Sequence, residues 1–338
     1  MKNIIILGAS GFVGNELITM CFNHPEINII GLSANESAGE KINFEVLNKK
    51  NLVELKYEKI DAIDFSKVDF IFNCLPNHNL HKLIGQFLEN VRIIDLSADF
   101  RLKKNEDYLN WYQFKHQNIE KINDFQYGLT EFNRKAIKNS KHIANPGCYA
   151  TSVLMPLSAL IQNNLIETNN IIVDAKSGYS GAGKLKNKDQ LLKEVNENIK
   201  SYGVGDHGHI AEINQELTDM NEGIKVNIFF SANLIPVERG ILSNIYFHPK
   251  GVSAEKIYDT LSKRFEDEQF ISVLPINEIP VTKDVVGTNN LIIGLKKGYK
   301  DDIVCIVSVL DNLVKGAAGQ AMQNFNVMNG EDEKLSLI

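Results

Sequence analysis

Of the four cysteines in this 338-residue chain, Cys148 stands where a thiol can be made reactive. Asn145-Pro146-Gly147 delivers it to the start of a stretch in which Val153, Leu154, Leu157, Leu160 and Ile161 fall on one helical face. At a helix N-terminus, unpaired backbone N–H groups and the positive end of the macrodipole favour a thiolate, lowering the pKa below its free value of about 8.5. A thiolate attacks acyl carbon and divides one hard step into two through a thioester. Cys21, Cys74 and Cys305 sit inside apolar runs and read as small buried hydrophobes. Taken alone, the stretch leaves a catalytic and an inert Cys148 equally open.

A thioester route also needs a group to manage protons. His24, His78, His81, His116, His142 and His248 lie in ordinary polar or turn surroundings and read as structural. Asp206-His207-Gly208-His209-Ile210-Ala211-Glu212 differs, with two histidines two apart and a carboxylate three beyond the second. No third ligand at recognisable spacing accompanies them, so the pair reads as a source of acid/base catalysis and no metal is assigned.

The elements that must position these residues suit two domains. The composition, 43% hydrophobic and 23% charged, is that of a globular chain with a sizeable core. A net charge of −6 with scattered basic residues gives no case for nucleic acid or an anionic membrane, so the expected partner is a small molecule. The run Ile4 to Leu7 is too short for a signal-peptide core, and no window reaches the ~18 apolar residues of a spanning helix. The cysteine spacing forms neither a disulfide framework nor a zinc pattern, and a cytoplasmic location is expected.

Asn3 to Leu7 reads as a strand running into Gly8, Gly11 and Gly14, then a helix with Val13, Leu17, Ile18 and Cys21 on one side. Glycines there let the backbone approach a pyrophosphate while the helix start supplies N–H donors, the pattern of dinucleotide binding. A second strand, Ile27 to Leu32, ends at Ser33-Ala34-Asn35, with Ser33 where an NAD-selective site would place a carboxylate; with Lys41 behind it, NADP is favoured. Strands at Phe70 to Leu75 and Arg92 to Asp95, separated by a helix near Leu80 to Leu88, complete a doubly wound parallel Rossmann sheet. Leu75-Pro76-Asn77 and Ser97 to Arg101 then lie beyond strand ends, where ligands bind, and Arg101 either clamps a carboxylate or is a surface arginine.

Beyond Cys148 the pattern changes. Asn170 to Ala175 leads into Lys176-Ser177-Gly178-Tyr179-Ser180-Gly181-Ala182-Gly183-Lys184, a loop suited to wrapping a phosphate with backbone N–H groups. Asp189 to Lys200 reads as a solvated helix. Strands at Lys225 to Ser231, Leu242 to Phe247, Leu291 to Leu295 and Ile303 to Leu310 suggest a second α+β domain on a mostly antiparallel sheet. Asp311 onward, through Lys315-Gly316-Ala317-Ala318-Gly319, reads as a helix returning to the first domain. The expected domains are 1–147 with 312–338 for the dinucleotide and 148–311 for substrate and oligomerisation. A short-chain dehydrogenase is excluded: its Tyr-x-x-x-Lys helix could only be Tyr246 to Lys250, and Pro249 forbids that helix.

Together Gly-Ala-Ser-Gly-Phe-Val-Gly14, Asp95 to Arg101, Asn145-Pro-Gly-Cys-Tyr149, Asp174 to Gly183, His207-Gly-His209 and Lys315 to Gln320 resemble the N-acetyl-gamma-glutamyl-phosphate reductases of arginine biosynthesis, in order over nearly the whole chain. The resemblance implies NADPH-dependent reduction of N-acetyl-gamma-glutamyl phosphate to N-acetylglutamate 5-semialdehyde with release of inorganic phosphate, in a homodimer or homotetramer. It implies Cys148 as nucleophile and a histidine of the pair, His209 by preference, as acid/base. Cofactor contacts are expected at Gly8, Ser10, Gly11, Phe12, Val13, Gly14, Ser33, Asn35, Leu75, Pro76, Ser180, Gly181, Asn312 and Lys315, and substrate contacts at Arg101, Asn145, Ser177, Gly178, His207 and Arg239. The chain departs from the family at Gly208, usually bulkier or basic, and at Ala150 and Ala211, often proline. Aspartate-semialdehyde dehydrogenases share the glycines and the cysteine, but their histidine follows a glycine where Gly240 is followed by Ile241, which cannot move protons. A reductase of carrier-bound lysine-pathway acyl phosphates and a non-catalytic NADP sensor would share parts of the same pattern.

Overall fold

The computed structural model describes residues 1–42, 55–87, 89–182, 195–299 and 302–337. Contacts divide the chain into two compact units, one of residues 1–105, 114–146 and 317–337, the other of 106–113 and 147–316. The excursion 106–113 and the turn 312–316 therefore belong with the second unit, where the sequence pattern suggests the first.

The first unit carries a six-stranded sheet in the order β2-β1-β3-β4-β6-β5, every pair parallel. Its strands are β1 (Lys2–Leu7), β2 (Ile27–Leu32), β3 (Phe70–Asn73), β4 (Arg92–Asp95), β5 (Phe125–Tyr127) and β6 (His142–Ala144). Ile4, Ile5, Ile6 and Leu7 are wholly buried, as a central parallel strand covered on both faces requires. The helix Phe12–Asn23 follows β1, and the helix predicted near Leu80 is a short turn, Leu80–Leu83, with a 3-10 turn at Ile84–Gln86. Leu88 lies outside the described residues. The helix Gly319–Asn329 seats Phe325 against Phe70 and Phe72, with ring centroids 4.9 and 5.7 Å apart.

The second unit carries a seven-stranded sheet in the order β11-β12-β13-β10-β7-β9-β8. The strands are β7 (Ile171–Ser177), β8 (Lys200–Tyr202), β9 (Ile228–Leu234), β10 (Ile241–Phe247), β11 (Ile271–Val273), β12 (Leu291–Lys297) and β13 (Val304–Leu310). Four of the six pairings are antiparallel, and β7 with β9 and β11 with β12 are parallel. Buried and open residues alternate along β7, β9 and β10, so one face lies under helices, Cys148–Gln162 among them, and the other is open. Gly183, Lys184 and most of the helix predicted over 189–200 lie outside the described residues; Lys200 belongs to a strand.

Candidate active site

Cys148 is the first residue of the helix Cys148–Gln162, which no side chain caps and whose first turn holds no acidic residue. It is half-buried. Burial pushes the other three thiols, Cys21, Cys74 and Cys305, up in pKa. Gly316 makes room for it, a Cβ there lying 2.8 Å from Cys148 Cβ, and Gly147 makes room for His209, with whose Nε2 a Cβ there would collide. The His209 ring therefore packs on the residue immediately before the cysteine.

His209 opens the helix His209–Met220, and Glu212 lies in its first turn, favourably placed against the macrodipole. Glu212 is fully buried, and its Oε1 accepts the Gly147 N–H at 2.8 Å. One carboxylate thus ties the cysteine turn to the histidine helix. This positioning role was missed in the sequence, although the i, i+3 spacing from His209 was visible there.

His207 behaves differently from its neighbour. Its Nδ1 accepts the backbone N–H of His209 at 3.1 Å, and burial pushes its pKa down to about 4. An imidazole held neutral as an acceptor orients the turn and is a poor acid at neutral pH. The Tyr149 ring meets both imidazoles edge-on, at 5.5 and 5.9 Å, and its hydroxyl bonds that of Tyr202 at 3.0 Å. Gly208, the departure between the histidines, faces the ring tip of Tyr112. The remaining histidines bond within the fold, for example His24 to Asn326 at 2.9 Å and His142 to the Ile93 N–H at 3.2 Å.

In the first unit the three glycines of the opening loop do three jobs. Gly8 has φ +70°, and a Cβ there would lie 2.6 Å from the Cys74 carbonyl oxygen, so this loop meets the one holding Leu75 and Pro76. Gly14 lets the helix approach the loop that follows β1, a Cβ there falling 2.5 Å from the Ala9 oxygen. At Gly11 a Cβ would meet protein only at 3.5 Å, and the helix it caps has no side-chain cap and no acidic first turn. Such a helix start, beside Ser10, Phe12 and Val13, has the space and the backbone donors that could hold a pyrophosphate. Ser33 is buried, and its hydroxyl accepts the Gly8 N–H at 3.0 Å, which makes it a brace of the loop. Asn35 is exposed.

Other predicted contacts are engaged within the protein. Arg101 donates to the Asn145 and Leu96 carbonyls, both at 2.7 Å, so it fastens two loops and does not present its fork. Asn145 donates to the Ala317 carbonyl and accepts from Asn324 at 3.0 Å. Arg239 pairs with the buried Asp311, with Nε 3.0 Å from Oδ2. The phosphate loop needs the same correction: the N–H groups of Gly178, Tyr179 and Ser180 donate to the carbonyls of Gly240, Val237 and Glu238, and that of Gly181 to Gly178. Ser177 donates to the Gly178 carbonyl, and Ser180 donates to Glu238 and accepts from Asn312 at 2.9 Å. Asn312 and the buried Lys315, whose Nζ lies 5.7 Å from the Phe270 ring centroid, belong to the second unit.

Among the described residues no helix is long and apolar enough to cross a membrane. A family model described as semialdehyde dehydrogenase, NAD binding domain, matches residues 3–140, and one described as semialdehyde dehydrogenase, dimerisation domain, matches 148–312. The N-acetyl-gamma-glutamyl-phosphate reductases of Ehrlichia canis (strain Jake) and Ehrlichia chaffeensis (strain ATCC CRL-10679 / Arkansas) are each 43% identical over 99% of this chain and 97% of theirs. A probable chloroplastic one from Oryza sativa subsp. japonica is 41% identical over 99% of this chain and 80% of its own. Among solved structures, aspartate semialdehyde dehydrogenase II from Vibrio cholerae, complexed with ASA, superposes with TM-score 0.74 at 19% identity, covering 98% of each chain. The aspartate semialdehyde dehydrogenase of Francisella tularensis gives 0.73 at 16%, covering 97% of this chain and all of its own. At such identities these two establish the shared fold alone.

Proposed function

Because the chain belongs to the N-acetyl-gamma-glutamyl-phosphate reductase family, we propose that it reduces N-acetyl-gamma-glutamyl phosphate to N-acetylglutamate 5-semialdehyde and phosphate, using NADPH and a thioester on Cys148. The observation that carries this reading is the packing of His209 Nε2 on Gly147, one residue from Cys148 at an uncapped helix start.

The Cys148 thiolate attacks the acyl carbon, the bond to phosphate breaks, and the proton consumed overall leaves on phosphate. Backbone donors at the helix start face the oxyanion that develops, an effect worth about 3 kcal/mol per donor. The Gly8–Gly14 loop would hold NADPH, whose nicotinamide would supply the hydride for reduction. His209 gives a proton to the oxygen of the thiohemiacetal and takes it back as the aldehyde and thiolate separate. Glu212 and His207 keep the cysteine turn and the His209 backbone in place.

NADP is favoured over NAD by Ser33 in place of a carboxylate and by Lys41 and Lys56, which stand opposite each other across an antiparallel bridge. A homo-oligomer is supported by the open face of the second sheet, where Ile172, Phe229 and Tyr246 are 45%, 55% and 36% exposed. An aspartate-semialdehyde dehydrogenase is disfavoured because Ile241 is wholly buried in β10.

The test is phosphate-dependent oxidation of N-acetylglutamate semialdehyde beside aspartate semialdehyde, with each coenzyme. N-acetylglutamate semialdehyde with NADP should be the preferred pair. Cys148→Ser should lose about a thousandfold or more in turnover, and normal turnover in that variant would rule out the thioester.

A further inference from the structure

Gly208, between the two histidines, has no conformational need to be glycine. Its φ of −55° and ψ of −29° are right-handed helical angles open to any residue, and alanine suits them better. Space accounts for it: a Cβ there would lie 2.7 Å from Cζ, 2.8 Å from Cε1 and 2.9 Å from the hydroxyl oxygen of Tyr112. Tyr112 ends the π-turn Tyr108–Tyr112, in the 106–113 excursion that packs with the second unit. Tyr108, wholly buried one turn earlier, anchors that excursion, and Gln113 closes it with φ 59°. The next residue after Gly208 is His209, whose ring lies on Gly147. The phenol tip thus bears directly on the backbone that carries the acid/base.

We propose that Tyr112 is a positioning residue for the reduction: seated on Gly208, it sets where the 207–209 turn stands and so how His209 meets the intermediate on Cys148. The proposal rests on the acyl-phosphate reductase reading of the site. A side chain at 208 and the ring at 112 compete for one space, so their substitutions are coupled.

The test measures kcat and KM for the acyl phosphate in wild type, Tyr112→Phe, Tyr112→Ala, Gly208→Leu and the Tyr112→Ala/Gly208→Leu double variant. Tyr112→Phe should stay within about twofold of wild-type kcat, and Tyr112→Ala should lose about tenfold in kcat with KM within about twofold. Gly208→Leu should lose more, and the double variant should turn over at least about fivefold faster than Gly208→Leu, because the leucine takes the vacated space. Should Gly208→Leu not fold, Gly208→Ala makes the same collision and replaces it in the cycle. Wild-type kcat in the Gly208 variant or in Tyr112→Ala, or a double variant no faster than the Gly208 single, would overturn the proposal alone. A wild type without reductase activity would overturn the proposal together with the reading beneath it.

Discussion

Two loops with similar strings follow strands in this molecule, Gly8-Ala-Ser-Gly11-Phe-Val-Gly14 after β1 and Ser177-Gly-Tyr-Ser-Gly181 after β7. The first ends at an uncapped helix, with Gly11 clear of other protein atoms to 3.5 Å. In the second, four successive N–H groups already donate to carbonyls at 2.9 to 3.1 Å. Gly8, Ala9 and Gly11 of the first loop also donate within the protein, so the difference lies at the uncapped helix start that the first loop reaches. A backbone donor with a protein partner gains little by exchanging it for an anion, whereas a helix start with no cap gains a full interaction. Gly11 in the first loop leaves open space at a helix start, while Gly8 there and Gly178 in the second let two protein loops touch.

Four outcomes would sharpen or break that contrast. Gly8→Ala forces a side chain to φ +70° and against the Cys74 carbonyl, so stability should fall by about 2–4 kcal/mol in urea denaturation, with dinucleotide binding lost too. Gly178→Ala drives a Cβ to 2.6 Å from the Glu238 backbone and should cost about 1–3 kcal/mol of stability. If it weakened dinucleotide binding at unchanged stability, the two loops would not differ as described. Gly11→Ala should leave stability within about 0.5 kcal/mol while raising the dinucleotide Kd about tenfold, and an unchanged Kd in a titration would remove the ligand space from the first loop. The smallest effect comes from acid. Neither loop holds a group that titrates between pH 4 and 7.5, so their variants should keep the same difference across that range. His207, with its pKa pushed down to about 4, stays neutral in the fold while the unfolded chain takes up a proton near 6.5. At this group the unfolded state then binds more protons, so its contribution to stability falls with pH from 7.5 toward 4, by about 0.8 kcal/mol at pH 6. Asp95, pushed up to about 7 by burial, acts in the opposite direction, so the His207 contribution is measured as the difference in pH dependence between wild type and His207→Gln in denaturation curves.

Much of the fold could be read from apolar runs. β1 to β4 and the longer strands of the second sheet were all visible, because buried parallel strands are continuous and half-exposed ones alternate. β5, β6, β8 and β11 were not, since three residues are too few to show a period. At the site, Cys148 and the histidine pair could be named from residue type and spacing. Arg101, Ser180 and Asn145 could not be sorted the same way: a side chain's identity states how many donors it has, and only folding states how many are already engaged. Gly208 shows the same limit, because a glycine required by a ring from residue 112 leaves no local trace.

The helix Gly319–Asn329, which seats Phe325 on β3, is the last long element of the chain, while residues 147–316 run unbroken through the second unit. A ribosome that has reached residue 316 has therefore already translated the whole second sheet, yet the parallel sheet begun at Lys2 still lacks a cover for Phe70 and Phe72. During synthesis the sheet begun at Lys2 is therefore completed after the second one, and its aromatic strand stays uncovered until the closing helix arrives.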